Sequence, residues 1–171
     1  MPTTYDKVAS ATLVSANASV DFTSIPSTYT DLVLVASLGG TVSGTVFLTQ
    51  FNNDTATNYS TVTYYGGQTG SPPGSALQGS GTYSNINSIY IPINSGLPAT
   101  VSASYTLNIQ NYASSNVYKS TMSQYNHGLT EVNMNAGMWR STSAINRITV
   151  TTTSSTFLAG SIFTIYGIQA A

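Results

Sequence analysis

The chain has 171 residues, of which 41% are hydrophobic, 11% aromatic and 5% charged, with a formal net charge of -1 and no cysteine. A soluble domain is ordinarily about a quarter charged, so 25 Ser and 26 Thr supply the hydration that charge usually provides. Four scattered cations cannot neutralise a run of phosphates, and no apolar stretch approaches the ~20 residues that span a bilayer, so neither a nucleic-acid nor a membrane partner is expected.

The abundance of Tyr and of β-branched residues argues against disorder, and the length suits a single domain over 1–171. The start, Met1 to Lys7, lacks the basic and apolar regions of a secretory signal. Without cysteine there is neither a disulfide framework nor a thiolate metal site. Weakly charged surfaces tend to associate, so the protein is expected either to pack against neighbours or to be an inert extracellular domain.

Runs of alternating or β-branched residues, bounded by Gly, Pro, Asn or Ser, predict strands. In chain order they are 7–14, 18–23, 31–38, 44–51, 58–65, 85–93, 104–112, 116–126, 131–139, 145–153 and 161–168. Residues 1–24 are expected to form an N-terminal arm or an edge strand. Gly66 to Gly81, with Pro72-Pro73 and six Gly, reads as one long loop. Pro92 marks an edge strand or a bulge. In 104–112, Tyr105, Leu107 and Ile109 face one way and Thr106, Asn108 and Gln110 the other, the mark of a half-buried antiparallel strand. No segment has helical periodicity. The pattern predicts an all-β, antiparallel β-sandwich of jelly-roll type, with an immunoglobulin-like sandwich as the alternative.

Catalytic chemistry finds little to build on. His127 is the only histidine, no Gly-x-Ser-x-Gly elbow accompanies it, and the carboxylates lie on different segments; no enzyme, catalytic residue or cofactor is expected. One histidine without cysteine excludes the usual zinc and iron sites. The turn Asn52-Asn53-Asp54-Thr55 offers calcium a single carboxylate, so a hydrogen-bonded loop is preferred to a metal site. Asn17, Asn53 and Asn58 open glycosylation sequons of the kind chance produces in such a composition. The aromatics Tyr64, Tyr65 and Trp139, with Arg140 beside the last, are candidates for an interface or glycan contact, set against service as core. Tyr5 is a further candidate, on an N-terminal arm reaching a neighbour.

Three blocks carry a resemblance: Tyr29 to Val35, Gly137 to Ile148, and Gly160-Ser161-Ile162-Phe163-Thr164-Ile165-Tyr166-Gly167-Ile168. They resemble a family of small structural proteins from tailed bacteriophages, cyanophages especially; only the Pro72-Pro73 loop departs, being longer and richer in Gly. The resemblance implies an antiparallel sandwich on the virion exterior and no enzymatic residues. The expected role is a capsid decoration (cement) protein, a homotrimer that sits on the outer head surface, bound to the major capsid protein and stabilising its lattice. The bare length favours this over a fibre, which adds a shaft. The alternative is a tail-fibre or tail-tip domain that binds a host surface glycan.

Overall fold

A computed structural model describes residues 5–40, 46–66, 79–93, 97–127, 131–153 and 155–169. Twelve strands build it: β1 (Tyr5–Thr12), β2 (Ser19–Phe22), β3 (Asp31–Leu38), β4 (Val46–Phe51), β5 (Tyr59–Gly66) and β6 (Gly79–Ile86) come first. They are followed by β7 (Ile89–Pro92), β8 (Ala103–Gln110), β9 (Lys119–Asn126), β10 (Val132–Trp139), β11 (Ile148–Thr152) and β12 (Ile162–Ile168). Among the described residues there is no helix.

The all-β sandwich expected from the sequence is the architecture observed. An eight-stranded sheet, β1-β12-β3-β8-β9-β10-β5-β6, packs on a four-stranded sheet, β2-β11-β4-β7, and every pairing is antiparallel. Two hairpins account for the inequality. β5 and β6 intervene in the chain between β4 and β7, and β9 and β10 between β8 and β11. Both hairpins join the larger sheet beyond β8, so without them the sheets are β1-β12-β3-β8 and β2-β11-β4-β7.

Several strand boundaries depart from expectation, most of all around β6 and β7. The run 85–93 is not one strand: it breaks at Asn87-Ser88, with β6 in the large sheet and β7 in the small one. Alternation continues across such a break because side chains keep facing in and out while the backbone changes partner. The predicted loop Gly66 to Gly81 gives way to β6 at Gly79; its residues 67–78, with Pro72-Pro73, lie outside the described residues. Pro92 closes β7, the outermost strand of its sheet, where a missing N–H breaks no ladder. The chain starts on two edges, β1 of the large sheet and β2 of the small one. In β1 a bulge between Lys7 and Ala9 interrupts the edge register, a feature that discourages pairing with other chains.

Aromatic rings fill the space between the sheets. Phe47 on β4 stacks on Tyr105 and Phe157 at centroid distances of 5.5 and 5.6 Å and meets Tyr125 edge-on at 5.6 Å. A second cluster joins Phe51, Tyr59 and Trp139, with Tyr59 and Trp139 stacked at 6.0 Å. Such pairs contribute roughly 0.5–1.5 kcal/mol each beyond the area they bury.

Candidate functional site

The site begins with a strand whose polarity is reversed. An antiparallel strand with one wet face normally turns its apolar residues inward. In β10 the inward residues are Asn133, Asn135, Gly137 and Trp139, while Val132, Met134, Ala136 and Met138 point outward. The neighbouring strands continue both patterns. Inside, Asn135 lies between Ser123 of β9 and Thr63 of β5, all buried, and its Nδ2 donates to Ser123 Oγ at 3.1 Å. Outside, Ala136 lies between Met122 and Val62, and Met134 between Gln124 and Tyr64.

The result is an apolar patch on the open face of the hairpin extension. Tyr64, Met122 and Met134 are 48%, 53% and 47% exposed, with Val132 and Met138 beside them. Tyr5, Val35 and Ile162 stand exposed farther along the same face. These eight are two-thirds of the twelve large hydrophobic side chains exposed among the described residues, so the exposure is concentrated rather than scattered. A groove of about 310 Å³ crosses this face, lined by the amides of Asn108, Gln110 and Gln124, by Met122 and Met134, and by Asp31 at one end. The open face of the small sheet is of another kind: there Arg147 grips Asp21 through two bonds of 2.8 and 2.5 Å, and Thr149 Oγ1 donates to the same carboxylate.

The five residues singled out from the sequence do not converge. Tyr5 is not on a free arm but paired with Ile168 in β1, its ring edge-on to Tyr166 at 6.4 Å. Tyr64 is six strands away in the sheet order, or roughly 29 Å at the usual strand spacing. Tyr65 turns to the opposite face from Tyr64, opposite Asn133. Trp139 is 2% exposed and lies in the core, so it presents no ring to a sugar. Arg140, half-buried, donates to Ser60 Oγ at 2.5 Å and Thr57 O at 3.1 Å, tying down the segment before β5. Of the five, only Tyr64 belongs to the patch on the hairpin extension.

The Asn52-Asp54 turn is a hydrogen-bonded loop. Asn52 and Asn53 adopt left-handed φ values of 53° and 55°. The Asp54 carboxylate accepts from Ala56 N at 2.9 Å, Asn58 Nδ2 at 2.8 Å and Trp139 Nε1 at 2.7 Å. Burial by itself would raise its pKa, but these donors outweigh it and hold the carboxyl below its ordinary value. N–H groups thus occupy the positions a cation would need. No group of three or more metal-ligating side chains occurs among the described residues.

Two of the nine formal charges are withdrawn from the surface. Glu131 is buried beside the Tyr125 ring, whose hydroxyl pKa is pushed up by burial and by that carboxylate. Lys119 is also buried, its Nζ donating to the carbonyls of Ser114, Val117 and Thr142 at 2.7, 2.8 and 3.2 Å. This cation fastens the loop after β8 to the one after β10. His127 lies at the end of β9, where its N–H donates to Glu131 O at 2.9 Å.

The patch methionines are what sequence reasoning missed. The alternation in 132–139 was visible, but nothing local says which side faces the core, and apolar residues are assigned inward by default. The large Trp139 on the polar side was the available signal. The chain matches no family model, no curated protein and no solved structure.

Proposed function

We propose that this protein is a virion structural protein, a capsid decoration module on the outer head surface that binds the major capsid protein and stabilises its lattice. The observation that carries this reading is the open face of the large sheet, where exposed apolar side chains gather and charge is nearly absent. A protein built for permanent contact can leave such a face uncovered until it assembles. Binding the assembled lattice but not free subunits stabilises the head by mass action.

Topology lends support. With the two hairpins set aside and the remaining eight strands counted in chain order, the sheets read 1-8-3-6 and 2-7-4-5. We read this as a jelly-roll order, an architecture that recurs in viral capsid and lectin domains. The three sequence blocks that resemble phage structural proteins point the same way.

The lectin association keeps the tail reading in view, as does exposed Tyr64, but the burial of Trp139 takes away one of the three aromatic platforms, Tyr64, Tyr65 and Trp139, that reading relied on. Counting copies in purified virions tests the proposal. Hundreds per particle support decoration; a handful confined to the tail would transfer the protein to the alternative, and absence from virions would sink both.

A further inference from the structure

We propose that the groove crossing the open face of the large sheet is a binding site for a neutral, polyhydroxylated ligand, a sugar ring or a short glycan, held between Asp31, Asn108, Gln110 and two methionines. This site is independent of the virion reading and contains neither Tyr65 nor Trp139. Its three polar side chains are neighbours. Leu32 pairs with Ile109, so the antiparallel register sets Asp31 of β3 opposite Gln110 of β8, with Asn108 on the same side of β8 as Gln110. Each is fastened at one end: Asp31 Oδ1 accepts from Asn111 N at 2.7 Å, Gln110 Oε1 accepts from Ser120 Oγ at 2.8 Å, and Asn108 Nδ2 donates to Met122 O at 3.5 Å. Among the described residues nothing takes the other ends, so Asp31 Oδ2, Gln110 Nε2 and Asn108 Oδ1 face a ligand as acceptor, donor and acceptor.

That pattern selects the chemistry of the ligand. A hydroxyl donates and accepts through one atom, and one set ~2.8 Å from an acceptor and from a donor bridges ~5.6 Å. Neighbouring strands are ~4.8 Å apart and alternate residues of one strand ~6.6 Å apart, so adjacent hydroxyls on a ring fit the series Asp31, Gln110, Asn108. An anion is repelled by the Asp31 carboxylate, and a cation meets the Gln110 N–H. A peptide carries donor and acceptor on separate atoms and pairs with the edge of a sheet rather than with its face. Met122 and Met134, 53% and 47% exposed, supply adaptable thioethers against which the C–H side of a sugar ring packs. At about 310 Å³ the groove is at the small end of ligand sites, which run ~300–1,000 Å³, and side chains already held in place lose little freedom on binding.

Methyl-labelled methionine in the full chain, followed by NMR during titration with the methyl glycosides of glucose, galactose and mannose and with maltotriose, tests the site. Saturable shifts at Met122 and Met134 are expected with at least one of these sugars, at a millimolar dissociation constant in keeping with so few bonds, while Met138, on the same face but outside the groove, stays unmoved. Asp31→Asn keeps an oxygen for Asn111 N but turns the outer acceptor into a donor, and is expected to weaken that binding by about tenfold. No shift with any of the sugars overturns the proposal, as do equal shifts at Met138, binding unchanged by Asp31→Asn, or shifts caused by a neutral Gly-Ser peptide alone. Should Asp31→Asn misfold, Gln110→Ala, at an exposed side chain, takes its place with the same expected loss. Because the groove shares Met122 and Met134 with the face proposed for capsid contact, the titration uses the free protein. Copy number in virions is indifferent to its outcome, so the two readings fall separately.

Discussion

At the scale of single residues, the polar groups inside the sandwich set the most informative tests. Trp139 and Asp54 form one unit, in which a core indole supplies an N–H to a carboxylate at 2.7 Å. Trp139→Ala is expected to cost about 3–5 kcal/mol, as large aromatic truncations in cores do, read as a fall in the urea midpoint. Because Asp54 titrates below its ordinary value in the folded protein, its contribution is complete above the unfolded pKa of about 3.9 and is lost as pH falls through the lower folded value. Wild-type stability should therefore fall more steeply in acid than that of Asp54→Asn, and parallel acid limbs would refute the assignment. Thr63 has the opposite character. Its Oγ1 is buried without a hydrogen-bond partner, so Thr63→Val removes a desolvation cost and should raise stability by up to about 1 kcal/mol. Trp139 and Lys119 also show where residue-level reading ended: an aromatic beside a cation looks like an interface anchor in sequence, and only the fold shows that the ring is core. Lys119 gave no sign that three carbonyls would converge on its Nζ.

At the scale of the strand, glycine marks where an element must be thin. Gly167 in β12 lies directly beneath Tyr29, and a Cβ there would stand 2.3 Å from the ring. Tyr112 holds that corner: its hydroxyl donates to the Pro26 carbonyl and accepts from Tyr29 N. Gly167→Ala is expected to destabilise by about 1–3 kcal/mol through overpacking. Gly66 in β5 has open space at the same position, so Gly66→Ala should change stability by less than about 0.5 kcal/mol. Equal effects in thermal melts would contradict this account. Most strands were legible because period-2 alternation is a local property; β3 spans the residues expected of it, 31–38, and β8 buries Tyr105, Leu107 and Ile109 as its pattern required. The division of 85–93 between two sheets was not, since a change of hydrogen-bond partner leaves the alternation intact.

At the scale of the molecule, scarcity of charge becomes scarcer still once Lys119 and Glu131 are buried. The bidentate Arg147–Asp21 pair, each side chain about one-third exposed, is the salt bridge among the described residues. Stability should accordingly vary by less than about 0.5 kcal/mol between low and molar sodium chloride, because screening has little to act on; a larger dependence of the denaturation midpoint would show that charge matters more than the structure allows. What the sequence by itself determined was the class: alternation and β-branching dictate strands, few charges dictate a hydroxyl-coated surface, and absent cysteine removes disulfides. What the tertiary structure alone decided was which strands pair, that two hairpins widen one sheet, and which face of β10 turns outward. Alternation defines two faces for a strand but does not say which is covered. That depends on partners distant in the chain, and here they cover the amides and leave the methionines exposed.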